Sequence, residues 1–150
     1  MGLIKNDRQL AITRRTLAEL EAAVKKLRAK YNGQALRLFT SGPFGMIGDL
    51  EGEIREYLWL REATPRKVMR KYPVVRIEEA GPFFARLRIA LRLSQAVLAR
   101  RVGCKQPDIA RLEDADDEGH TARTLKAVAE ALGVEIVVGA RKAKHSKRVG

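Results

Sequence analysis

A single cysteine, Cys104, in 150 residues excludes any disulfide within the chain. Only two histidines, His120 and His145, are present, and neither stands in a cluster spaced for metal coordination. No metal and no other cofactor is therefore expected. Aromatic residues make up 5% of the chain, so its core must be aliphatic, and packed helices are the expected solution. No apolar run approaches the roughly 20 residues needed to span a bilayer. The opening MGLIKNDRQ lacks a signal-peptide hydrophobic region, and its Met-Gly lacks the Ser or Thr of a myristoylation signal. These absences lead to the expectation of a soluble, cytoplasmic protein with no membrane partner. There is no Ser/His/Asp constellation and no glycine-rich phosphate loop, so an enzyme is the least expected class.

What the chain does have is positive charge. Its formal net charge is +12 and its pI is near 10.3, an excess that favours polyanions as partners, nucleic acid first and anionic membrane second. The excess is unevenly placed. Residues 82–138 carry nine Lys/Arg against eight Asp/Glu and are nearly neutral. The stretch PRKVMRKYP at 65–73 has Arg66, Lys67, Arg70 and Lys71 with no acid, which reads either as a solvated run or as phosphate contacts. The end of the chain, GARKAKHSKRVG at 139–150, is basic, cannot bury a core, and is expected to be a disordered tail.

Hydrophobic residues, at 45%, suffice for one ordinary domain or two small ones. Residues 7–31 read as a helix: Asn6 caps it, Gln9 completes a capping-box pattern, and Asn32-Gly33 ends it. Leu10, Leu17, Leu20, Val24, Leu27 and Tyr31 form a narrow stripe that needs a partner helix, from this chain or another. Residues 34–45, with Leu36, Leu38, Phe39 and then Ser41-Gly42-Pro43, read as an extended segment and turn. A second helix is expected over 46–63, with Ile47, Leu50, Ile54, Tyr57 and Leu58 inward and Trp59 packed beside them. Its carboxylates, mixed with Arg55 and Arg61, read as a solvated face. Residues 1–64 thus form a helical hairpin suited to dimerisation or partner binding, and 65–81 a basic linker. VVRI at 74–77 and VEIVV at 134–138 have strand-like β-branched content.

The most informative stretch is SQAVLARRVGCKQPDIARLE at 94–113. Ser94 can cap a first helix whose inner face is Val97, Leu98, Arg101 and Val102, with Ala99 allowing close approach. Gly103 supplies the residue tolerant of positive φ that a helix end needs. A second helix starts at Gln106 with Pro107 in its first turn, where a missing N–H costs nothing. Ile109 and Leu112 face inward, which leaves Lys105, Gln106, Asp108 and Arg111 outward or near the exposed end. Helix, glycine turn and polar-faced helix make a helix-turn-helix. Around it, Pro82 reads as the start of a helix with Phe83, Phe84, Leu87 and Leu91, and 124–132 as a last helix stopped by Gly133. A short helical turn at 120–123 is placed before that last helix. The acidic EDADDEGH loop has the wrong spacing for an EF-hand and is not read as a metal site.

With Arg88, Gln95, Ala99, Gly103, Gln106, Ile109 and Glu113 in register, this region resembles the phage-repressor-like (Xre-type) helix-turn-helix family of transcriptional regulators and antitoxins. The resemblance implies a mainly α fold, in which the N-terminal hairpin precedes a lambda-repressor-like five-helix DNA-binding domain over 82–138 with short flanking β-strands. It implies DNA-binding residues Gln95, Lys105, Gln106, Pro107, Asp108 and Arg111, with Gln95 as a phosphate clamp. Arg88 and Glu113 would form a structural salt bridge. Two departures stand out: Lys105 replaces the usual small hydroxyl residue of the cap, and Pro107 removes a side chain that often touches bases in relatives. Gln106 suits adenine N6 and N7, and Arg111 suits guanine or phosphate. The implied partners are double-stranded DNA and a second copy of the chain, with homodimer contacts mainly within residues 1–80. The function expected is that of a sequence-specific dimeric regulator, most simply a repressor. An antitoxin that neutralises a toxin protein and controls its own operon is the alternative. A mobile-element regulator would differ only in its operators, and an RNA-binding module is disfavoured by the scarcity of aromatics for base stacking.

Overall fold

The computed structural model describes residues 2–114 and 119–141. The basic tail beyond Arg141, with His145, and the centre of the acidic loop lie outside these residues. Seven α-helices and one 3₁₀ turn are present among the described residues. Helix α1, Asp7–Lys30, starts where Asn6 leaves the helix conformation and its side chain accepts from the Gln9 N–H at 2.9 Å. The Gln9 side chain in turn accepts from the Lys5 N–H at 2.8 Å, so two orphan donors are satisfied together. Tyr31 and Asn32 make the connection, and Gly33, at φ +54, opens α2, Gly33–Glu62.

α1 and α2 form an antiparallel hairpin. At its tip the rings of Tyr31 and Phe39 lie 4.9 Å apart and Arg28 covers the Phe44 ring at 5.1 Å. At its root Asp7 accepts from the Tyr57 hydroxyl at 3.1 Å and from Arg61 at 2.9 Å. The expected extended segment at 34–45 is instead helix, with Pro43 inside it. Pro43 offers no N–H to the turn before it, but the segment is held by α1: Thr40 is buried there and its hydroxyl donates to the Leu36 carbonyl at 2.7 Å. Packing against a long neighbour overrides the turn signal of Ser-Gly-Pro.

The basic stretch after the hairpin is also helical. Thr64 caps α3, Pro65–Lys71, by accepting from Lys67 N–H, Pro65 takes the first turn, and Val68 is fully buried. A 3₁₀ turn, Ile77–Glu79, leads into α4, Ala80–Ala90. Then follow α5, Gln95–Val102, α6, Gln106–Leu112, and α7, Ala122–Ala131. The expected helix starting at Pro82 thus begins two residues earlier, and the short turn placed at 120–123 is absorbed into α7, which Thr121 caps. The region read as five helices contains four α-helices among the described residues.

The two flanking strands are absent as well: no described residue is in a strand. A β-branched segment becomes a strand only when a second segment completes its hydrogen bonds. Val74, Val137 and Val138 are each at least 85% exposed, and nothing lies beside them to do so. The hairpin-plus-five-helix-plus-strands architecture is therefore replaced by an all-helical one.

One hydrophobic cluster runs through the molecule. It joins Ile4, Leu10, Tyr57, Leu60, Ala63 and Val68 to Phe84, Leu87, Leu98, Ile109, Leu112 and Val128. Two polar ties reinforce this junction. Arg92, a non-glycine residue at φ +60 just past α4, donates to the carbonyls of Ala63 (3.2 Å) and Ala90 (2.6 Å), which stabilises a backbone conformation that L-residues seldom adopt. Glu56 on α2 accepts from Arg86 on α4 and from the Tyr72 hydroxyl, both at 2.8 Å.

Burial alone would push the Glu56 carboxyl up, but the hydrogen bonds from Arg86 and Tyr72, with the charges of Arg86 and Lys71, hold it below its ordinary value of 4.5. A depressed folded-state value means stability that is present above the unfolded value and lost as pH falls through the folded one. Glu56→Gln should therefore cost about 1 kcal/mol at neutral pH, and denaturant midpoints of the two proteins should converge as the pH is lowered below 4.5. A gap that stays constant into acid would remove this carboxylate from the junction's electrostatics.

Candidate functional site

The exposed polar residues of the α5–α6 unit gather at the N-terminal ends of the two helices. Ser94 caps α5 by accepting from Val97 N–H at 3.1 Å, and Gly103, at φ +81, reverses the chain into α6. Ile109 and Leu112 are buried, so α6 turns Gln106, Pro107, Asp108 and Arg111 outward. Lys105 occupies the cap position. An ammonium group has no lone pair to accept with, and the capping works from the other side: the Asp108 carboxylate accepts from the Lys105 N–H at 3.1 Å. Asp108 is thereby engaged in fixing the start of α6. Cys104 in the turn is half-buried, and burial together with the Asp108 charge pushes its thiol up, which keeps it protonated at neutral pH.

Behind this surface lies a buried charged group. The Nε and Nη2 of Arg88 on α4 both donate to the Glu113 carboxylate, the second at 2.8 Å, and Arg88 and Glu113 are 2% and 1% exposed. The remaining guanidinium donors reach the carbonyls of Leu93 at 2.8 Å and of Lys5 at 3.2 Å. Every part of the fork is thus paired, as a charge at this depth requires. Glu113 Oε2 also accepts from Gln95 Nε2 at 2.8 Å, and Gln95 Oε1 accepts from Gln106 Nε2 at 2.8 Å. A continuous chain of side-chain hydrogen bonds therefore runs from the buried arginine to the exposed first residue of α6. It fixes the Gln106 rotamer and leaves its carbonyl oxygen and one N–H for a ligand outside.

The structure brings Gln95, Gln106, Arg88 and Glu113 into one network. Lys105, Pro107 and Arg111 sit at the exposed surface beside it, and Asp108 serves the cap. Two contributors carry no signal in local sequence. The Lys5 carbonyl has none because every residue has a carbonyl. Gly81 is the other: a Cβ there would stand 1.8 Å from the carbonyl oxygen of Leu112, so the start of α4 touches the end of α6 backbone to backbone. The Ala-Gly-Pro sequence marks only a helix start.

Residues 79–138 match the helix-turn-helix domain family, which supports a DNA-binding regulator. No curated protein and no solved structure matches the chain. No helix among the described residues is long and apolar enough to cross a membrane.

Proposed function

We propose that this helix-turn-helix domain makes the protein a sequence-specific transcriptional regulator, a non-enzymatic repressor of Xre type. In this reading α6 enters the major groove from its Gln106 end. The observation that supports it best is the Gln95–Gln106 hydrogen bond standing on a buried Glu113. An exposed amide held in one orientation can make the paired contacts to adenine N6 and N7 that discriminate bases. Gln95, Lys105 and Arg111 then contact phosphates or guanine at the rim, and Pro107 presents a rigid first turn without a donor. A single such unit offers few base contacts, so the repressor acts as a homodimer on two half-sites about 34–36 Å apart.

Gln106→Ala and Arg111→Ala should each weaken binding by about 1–3 kcal/mol on a site selected from random DNA, while leaving affinity for unrelated DNA nearly unchanged. Footprints on that site should show paired half-sites. Equal losses on both DNAs would move these residues from base reading to phosphate contact.

The antitoxin reading has one observation in its favour. The hairpin tip carries exposed Leu38, Phe39, Phe44 and Met46, which α6 does not need in order to read DNA.

A further inference from the structure

One stripe of α2 is covered over half its length only. Phe39, Gly42, Met46, Asp49, Glu53, Glu56 and Leu60 recur at alternating spacings of three and four and therefore share a face. Its C-terminal half is seated: Glu53 accepts from the Gly2 N–H at 2.6 Å, Glu56 binds Arg86, and Leu60 is fully buried. Its N-terminal half, about 15 Å of helix, runs on past the junction with no cover. Met46 is 54% and Phe39 48% exposed, with Leu38 beside them at 73%. Between Phe39 and Met46, nothing lies within 4 Å of the position a Gly42 Cβ would take, so the stripe has a notch.

The charge around this notch has one sign. Residues 22–48 include Lys25, Lys26, Arg28, Lys30 and Arg37, all exposed, and no Asp or Glu. This decides against a second copy as the occupant. With the root half of the stripe already occupied, a two-fold contact would have to place tip on tip, setting like charges against each other. A bilayer would accept the cations but has no use for a notch between two ridges. An α-helix does, because its side-chain ridges fill such gaps.

We propose that the distal half of α2 is a docking face for an acidic amphipathic helix of a partner protein. Apolar residues at three- and four-residue spacing on that helix fill the notch beside Leu38, Phe39 and Met46. Its carboxylates meet Arg28, Lys30 and Arg37 at the rim. The face lies on the hairpin and not on α6, so it stands independently of which DNA the protein reads.

The test uses the full chain and a labelled synthetic helical peptide of several turns, with Leu at the three- and four-residue positions and Glu at most others. Fluorescence anisotropy should show micromolar binding that weakens with added salt. A twin peptide with Lys in place of Glu should not bind. The double substitution Leu38→Ser with Met46→Glu should weaken peptide binding about ten-fold or more while helix content and DNA affinity are retained. Arg37→Glu, at an exposed position, should weaken it independently. The proposal is overturned if the acidic peptide does not bind, or if the Lys twin or either variant binds as well as the parent pair. It is equally overturned if the double substitution abolishes binding to phosphatidylserine vesicles or dissociates a sedimenting dimer while peptide binding persists, because the face would then belong to lipid or to a second copy.

Discussion

Gly81→Ala should destabilise the protein by about 3 kcal/mol, the upper part of the range for overpacked sites. In a chain of this size that lowers the melting temperature by about 6–12 °C. The added carbon would lie 1.8 Å from the Leu112 oxygen and 3.0 Å from its carbonyl carbon. Both are backbone atoms at the end of α6, so no side chain can turn aside. Relief requires α4 and α6 to separate by more than an ångström, which opens the core that Phe84, Ile109 and Leu112 share. The helical environment of Gly48 makes the contrast. A Cβ there meets nothing, and Gly48→Ala should be neutral or stabilising by about 0.5–1 kcal/mol. Thermal denaturation of the two variants separates the effects. Equal midpoints would mean that the start of α4 slides freely over the end of α6.

Removing Glu113 should cost still more relative to its size. Glu113→Ala leaves a guanidinium that is 2% exposed without its counter-charge, a situation that costs about 3–5 kcal/mol in proteins generally. Leu93 and Lys5 would continue to accept from Arg88, but two neutral carbonyls do not replace a carboxylate. Glu113→Gln, which keeps the shape and one acceptor, should fall between parent and Ala. Replacing both partners with apolar residues, Arg88→Met with Glu113→Leu, should recover much of the loss, since the unpaired charge disappears with its partner. Denaturant titrations report each value. A Glu113→Ala protein as stable as the parent would show that the pair contributes nothing to the fold. The same substitution releases Gln95, which holds Gln106, so the stable Gln variant should also bind a selected DNA site more weakly than its stability alone explains.

What could be read in the sequence was whatever is decided within a few residues. Asn6, Ser94 and Gly103 act where their neighbours place them, and Ile109 and Leu112 are inward because three-residue spacing makes them so. Val74 and Val137 misled because a strand is a property of two segments, and the second is missing. Pro43 misled for the opposite reason: its local meaning was outvoted by a partner helix whose contacts span the whole hairpin. The residues of the Arg88–Glu113–Gln95–Gln106 network were legible as types in register. Their hydrogen-bond order was not, because it depends on how α4, α5 and α6 are set against one another. Gly81 answers to Leu112, far along the chain, and nothing beside it in sequence announces that contact.

The Lys5 carbonyl that receives Arg88 lies 83 residues away from it in sequence. With the shared core around Tyr57, Leu60 and Leu87, this contact bears on inheritance. A gene fragment encoding only the C-terminal helices would carry a torn face: Leu87 and its neighbours without Leu10, Tyr57 and Leu60, and Arg88 short of one acceptor. Recombination that shuffles reading heads among regulators should break this chain poorly at residues 65–81. The hairpin and the reading head are expected to descend together, as a single heritable unit.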